Sequence, residues 1–169
     1  KKKEFVMDFA AAGVHLGKDS PMQDDWWKGE GEYDWSAVDK YLRDNIDANP
    51  ECALMVNIGA TPPEWFKKKY DSELEEYYID DNNLDAGKKK WTGYGGPMGS
   101  DKWLALSIRM IRDFVSHVES SPNANHVMGY AVSGGDAGEW YWPGLFTGMG
   151  MTGYSEPTRT TYRNWLKAK

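Results

Sequence analysis

The run ECALMVNIGATPPEW, residues 51–65, decides the fold. From Cys52 to Ile58 it is apolar except at Asn57, the pattern of a strand covered on both faces, as in a parallel sheet. Gly59, Pro62 and Pro63 then stop regular structure. Just upstream, Asp34 or Ser36 caps a helix in which Val38, Tyr41, Leu42 and Ile46 share one face, and Asn49-Pro50 ends it. A helix joined to a buried strand by so short a return is half of a crossover unit, and the rest of the chain repeats it.

Residues 3–12 place Phe5, Val6 and Phe9 at helical spacing and stop at Gly13, with a short strand expected at 14–17. Ser100 or Asp101 opens the clearest helix, in which Leu104, Ile108, Ile111, Val115 and Val118 recur at spacings of three and four; Pro122 closes it. A strand at 126–133 follows, and Ser155-Glu156-Pro157 begins a last helix carrying Tyr162, Trp165 and Leu166. Helix then strand, three times over, followed by a helix, predicts an α/β fold: parallel strands with right-handed crossover helices. The returns from helix to strand are short, whereas the loops after the strands, at 61–99 and 134–154, are long. That asymmetry is the mark of a TIM (β/α)8 barrel, whose chemistry sits on the loops after the strands. A whole barrel takes about 250 residues, so residues 1–169 read as a single fragment of one, about its second to fourth strands, with the rest of the barrel expected in a longer parent chain. A flavodoxin-like domain would need a phosphate turn after the first strand, and HLGKDSPM is a poor one.

With 40% apolar and 27% charged residues the chain is globular, and its net charge of −6 argues against nucleic acid as a partner. The basic runs Lys67–Lys69 and Lys88–Lys90 lie among Asp, Glu and Gly and read as solvated faces. There is no membrane-spanning apolar run and no signal-like segment, so a soluble chain without a membrane partner is expected. Cys52, the one cysteine, reads as a small buried hydrophobe. His15, His117 and His126 lack ligand spacing, so neither a metal nor another cofactor is expected.

Nine Trp, ten Tyr and five Phe are more aromatic rings than a core of this size wants, because each buried indole N–H needs a partner. Many stand beside carboxylates after the strands: Asp19 with Trp26, then Asn57, Glu64 and Trp65, then Glu139 with Trp140, Tyr141 and Trp142. Flat rings beside carboxylates and amides suit a carbohydrate, which offers an apolar C–H face and a rim of hydroxyls. Asp19, Trp26, Asn57, Glu64, Trp65, Trp140 and Trp142 are therefore candidate substrate contacts. Glu139, at the end of GYAVSGGDAGEW (129–140), is the candidate catalytic residue, since rings that strip water from a carboxyl raise its pKa toward that of a general acid. On residues alone it serves equally well as a helix cap or the partner of an arginine.

GEYDWSAVDKYL (31–42), NIGATPPEWFKKKY (57–70), the stretch 129–140 and YSEPTRTTYRNWLKAK (154–169) together resemble the catalytic barrel of glycoside hydrolase family 42 beta-galactosidases and their clan A relatives. The resemblance covers most of the chain except 71–99. It implies a retaining glycosidase acting on beta-linked galactosides or related oligosaccharides, with an acid/base glutamate after the fourth barrel strand, matched by Glu139, and a nucleophilic glutamate after the seventh, unmatched here. The family usually has Asn immediately before the acid/base; this chain has Gly138. A carbohydrate-binding protein on a degenerate glycosidase barrel is the alternative reading.

Overall fold

A computed structural model describes residues 2–79, 83–91, 95–134 and 152–169. In chain order its elements are α1 (Lys2–Ala11), β1 (Leu16–Asp19), α2 (Gln23–Trp26), β2 (Trp27–Gly29), β3 (Glu32–Tyr33), α3 (Ser36–Ala48), β4 (Ala53–Gly59), α4 (Glu64–Lys69), β5 (Glu76–Tyr78), β6 (Lys88–Lys90), α5 (Asp101–Glu119), β7 (Val127–Ser133) and α6 (Glu156–Lys167). The three expected helix–strand repeats and the closing helix are present; the first strand lies two residues later than its sequence suggests. The fold is α/β, a three-stranded parallel sheet in the order β1-β4-β7, and corresponds to part of a TIM barrel. The chain forms two compact units, Lys1–Ile58 with Met110–Val132, and Gly59–Arg109 with Ser133–Lys169.

The first unit is organised by β4. Its burial alternates strictly: Leu54, Val56 and Ile58 are buried, whereas Ala53, Met55, Asn57 and Gly59 are half-buried. The strand is therefore covered on one face, where the sequence suggested two. The covered face belongs to the helices. Leu54 lines one cavity with Tyr41 and Asn45 of α3 and with Asn49 just beyond it, and Tyr130 of β7 reaches α5, donating its hydroxyl to Glu119 at 2.7 Å. In α3, Val38, Tyr41 and Leu42 are buried as their spacing predicts, and Asp34 Oδ1 accepts the Ser36 N–H at 3.1 Å at the helix start. Cys52 is buried, and burial pushes its thiol pKa up.

Much of the aromatic excess is core. Trp26 packs on Phe114 with ring centroids 4.9 Å apart and stacks on Trp35 at 5.4 Å; Trp35 in turn stacks on Tyr33 and on His117, both at 4.6 Å. His117 Nε2 lies 2.7 Å from Asp39 Oδ1, and Tyr33 donates to Asp113 Oδ2 at 2.8 Å, tying α3 and the β2–β3 hairpin to α5.

In the second unit, β5 and β6 form an antiparallel hairpin inside the excursion that sequence left without elements. Both Lys88 and Lys90 pair with Glu76, at 3.4 and 3.1 Å, so this basic run serves the hairpin. The buried Glu75 accepts hydroxyl hydrogen bonds from Ser155 at 3.0 Å and Thr158 at 2.5 Å, gathering the N-cap and first turn of α6. Glu73 does the same at α5: it accepts from Ser100 at 2.6 Å, whose Oγ accepts the Trp103 N–H at 3.0 Å. Gly99 fits because a Cβ there would collide with Thr158 of α6, whose neighbour Thr161 donates to the Gly99 carbonyl at 2.8 Å.

The apolar face expected for α5 is corrected. Trp103, Leu106, Met110, Phe114 and Val118 are buried, whereas Leu104 is 56% and Ile108 41% exposed. Two apolar stripes run along this helix, and the one bearing the larger rings finds the core. Phe5 and Phe9 of α1 and Tyr162, Trp165 and Leu166 of α6 are likewise exposed among the described residues. Adjacent residues provide the check in urea denaturation: Trp103→Ala loses about 3–5 kcal/mol, whereas Leu104→Ala stays within about 0.5 kcal/mol of wild type.

Candidate functional site

Which side chains reach which face of the sheet follows from register. β1 pairs β4 in parallel, Leu16 with Ala53, Gly17 with Leu54, Lys18 with Met55 and Asp19 with Val56. In-register partners point to the same side, so Gly17 and Asp19 face the helices with Leu54 and Val56, while Leu16 and Lys18 share the opposite, inner face with Ala53 and Met55. Two contacts confirm the parity. A Cβ on Gly17 would touch Leu54 Cδ2 at 3.0 Å, and one on Gly129 of β7 would meet Met55 Sδ at 3.6 Å.

This geometry separates two residues expected together. Asn57 lies on the inner face near the carboxyl end of β4, the barrel face where chemistry is built. Its Oδ1 is buried and accepts no hydrogen bond among the described residues. Asp19, at the end of β1, is on the helix-facing side, where its carboxylate accepts the Ser20 N–H at 2.8 Å. There its charge adds to burial in pushing the Tyr41 hydroxyl pKa well above the ordinary tyrosine value. Trp26, expected as a sugar platform, is 1% exposed and belongs to the aromatic core. The expectation failed because a tryptophan beside two aspartates looks the same whether its ring turns in or out.

Lys18 is the inner-face residue that sequence reading passed over. It is exposed at the edge of the sheet, and its side chain makes no hydrogen bond or ion pair with a described residue. Strict alternation counted back from Asp19 would have exposed it, had the strand been placed two residues later.

In the second unit, Glu64 and Trp65 open α4 immediately after Pro63. Glu64 is solvent-exposed and accepts from Lys67 Nζ at 2.8 Å; that hydrogen bond, reinforced by the Lys67 charge, holds its pKa below the usual glutamate value. A carboxylate so held is an acceptor at neutral pH and a poor proton donor. Trp65 is half-buried, edge-on to Phe66 at 5.9 Å, and Phe66 is the buried anchor that packs on Trp103 at 4.9 Å. Glu139, Trp140 and Trp142 lie outside the described residues. Among those described, no group of acidic, histidine or cysteine side chains is arranged to hold a metal ion, and no helix is long and apolar enough to cross a membrane.

No protein-family profile and no curated protein sequence matches the chain. Solved structures do match its fold. The beta-galactosidase of Rahnella sp. R3 superposes with a TM-score of 0.65 over 97% of this chain and 21% of its own, at 17% identity. That of Bacillus circulans sp. alkalophilus gives 0.59 over 78% and 19%, at 18% identity. The enzyme of the haloarchaeon Halorubrum lacusprofundi gives 0.54 over 77% and 18%, at 16% identity. This chain thus has the fold of part of the barrel of these enzymes, and it spans about a fifth of their length.

The Glu64–Lys67 pair carries its own test. In carbon-13 NMR the Glu64 carboxyl is expected to titrate below free glutamate, and Lys67→Gln to return it upward. Because the folded pKa is the lower one, whatever stability the pair adds is present above the unfolded pKa and disappears as pH falls through the folded value. An unchanged titration in Lys67→Gln would show that the two side chains do not meet in solution.

Proposed function

We propose that the chain is part of a retaining glycoside hydrolase of the family 42 beta-galactosidase kind, acting on beta-linked sugars. The observation that carries this reading is the superposition of 97% of the chain on a beta-galactosidase, together with the strand-end stretch 129–140 that resembles the family's acid/base segment. In the proposed mechanism Glu139 protonates the glycosidic oxygen while a carboxylate about 5 to 5.5 Å away attacks the anomeric carbon; Glu139 then deprotonates the water that releases the sugar. Asn57, near the carboxyl end of β4, is proposed as a further substrate contact. Trp65, Trp140 and Trp142 are proposed as ring contacts, and Glu64, ionised and solvent-facing, as a hydroxyl acceptor. No metal or organic cofactor enters the chemistry.

A double displacement needs both carboxylates, and the nucleophile has no match in these 169 residues. The isolated chain is therefore expected to leave aryl galactosides intact, and Glu139-dependent turnover by it would refute that. In a polypeptide that includes this chain and is active, Glu139→Ala is expected to lower kcat on natural beta-galactosides at least about a hundredfold. With an aryl galactoside bearing a good leaving group it should form the glycosyl-enzyme, stall, and be rescued by azide as the beta-galactosyl azide. Wild-type behaviour of the variant would remove Glu139 from the mechanism, and sugar binding without turnover in the intact parent would favour the degenerate, carbohydrate-binding barrel.

A further inference from the structure

We infer that the cavity between α1, β1 and α3 binds an uncharged one-ring aromatic alcohol, its ring against α1 and its hydroxyl between the amides of Asn45 and Asn49. The site lies wholly within the first unit, on the helix-facing side of the sheet, and is independent of the hydrolase reading.

The cavity holds about 280 Å³. An apolar cavity of about 150 Å³ is enough for benzene, so there is room for a ring and its substituent. The two helical walls differ in chemistry. α1 supplies Phe5, Val6 and Phe9, whereas α3 and the residue just beyond it supply Tyr41, Asn45 and Asn49. Phe5 and Phe9 line the cavity yet stay 66% and 53% exposed, which puts its mouth beside α1 and leaves apolar surface there for a ring to cover. Lys18 and Asp19 also line it, but as adjacent and opposite charges they favour no net charge on an occupant.

The amides define the polar side. The Glu51 N–H donates to the Asn49 side chain at 3.2 Å, and because an N–H meets only an acceptor, the atom it reaches is Oδ1. His15 Nδ1 lies 3.0 Å from the same oxygen. The amide is thereby oriented, and Asn49 Nδ2 has no acceptor among the described residues although the residue is only 4% exposed. Unlike Asn57 Oδ1 it is not sealed from solvent, so an occupant of the cavity that Asn49 lines can reach it. Asn45 has the complementary deficit: its Nδ2 donates to the Tyr41 carbonyl at 2.8 Å, and its Oδ1 has no donor among the described residues. Side chains four apart on a helix have Cβ atoms about 5–6 Å apart, a gap that one hydroxyl spans by accepting from Asn49 and donating to Asn45. Water makes the same two bonds but leaves the α1 rings uncovered.

The test uses the 169-residue chain titrated with benzyl alcohol, toluene and galactose, following the Asn45 and Asn49 side-chain amides and the Phe5 and Phe9 rings by NMR. Benzyl alcohol is expected to shift amides and rings together and saturably, and to raise the urea midpoint as a ligand of the folded state does; galactose is expected to shift neither. Asn45→Leu should weaken benzyl alcohol about two- to tenfold, the scale of one net hydrogen bond, while toluene stays as tight or tightens. Val14→Trp, which enlarges an exposed side chain on the cavity wall, should abolish binding of both aromatics without lowering the urea midpoint. If that variant does lower the midpoint, Val6→Phe fills the same space from α1 and takes its place in the test. Shifts that do not saturate, a midpoint that falls with benzyl alcohol, or unchanged binding in the filled variant overturns the site. Equal weakening of both aromatics in Asn45→Leu, or of neither, overturns the assignment of an alcohol. Binding that is lost as protein concentration rises shows that a second copy covers the cavity, which also overturns it. None of these outcomes touches the hydrolase reading, which azide rescue tests separately.

Discussion

The parallel pairing of β1 with β4 is the constraint on which the rest depends. Side chains alternate along a strand, so sliding that pairing by one residue would turn Leu54, Val56 and Ile58 away from the helices and bring Asn57 into their place. Burying an amide without partners there, while exposing three large aliphatic side chains, loses on both counts, so the register is strongly specified. Gly17 is part of the same specification. The approach of Leu54 to within 3.0 Å of where its Cβ would sit shows how closely β1 lies against that aliphatic row.

The second unit is held differently, by polar atoms at helix ends. Helix starts leave N–H groups without intrahelical partners, and carboxylates are favoured there by both hydrogen bonding and the helix dipole. Glu73 and Glu75 exploit this from one short segment, since the serine each engages, Ser100 and Ser155, stands at the start of α5 and of α6. Both oxygens of the buried Glu75 are satisfied by hydroxyl donors, which meets the condition under which a polar group is tolerated out of water. The β5–β6 hairpin follows directly, and its Tyr77 bridges to Thr152 while Lys88 donates to the Tyr154 carbonyl at 2.8 Å. An excursion without hydrophobic periodicity is thus ordered by side chains that periodicity does not weigh.

That contrast explains what was legible in the sequence. The long elements were, because burial against a single layer imprints a period: α3 shows Val38, Tyr41 and Leu42, and β4 shows an apolar run. The face of α5 was not, because Leu104 and Ile108 lie at helical spacing as regular as that of Trp103, Met110 and Phe114. Periodicity locates a stripe but cannot rank two of them. The hairpin escaped for the reason just given, and Trp26 because composition counts rings without saying which way they point. In the candidate site, Asn57 was legible as the one polar break in an apolar strand. The face taken by Lys18 was not, because it comes only from parity with β4, which requires knowing where β1 begins.

Alternation also accounts for a fold kept at 16–18% identity to the enzymes it resembles. On the helix-facing side each residue touches several others, so Leu54, Val56 or Phe114 can change only to something of similar volume. On the inner face Ala53, Met55 and Asn57 are only half-buried and Lys18 is exposed, so packing constrains replacement there less. Tightly and loosely constrained positions thereby alternate along the same strands, one residue apart. An amide or a cation can then be placed, moved or lost at the strand ends while the aliphatic row behind it stays. This is the physical reason that the barrel likeness carries over to this chain as a fold while the side chains on its inner face are its own.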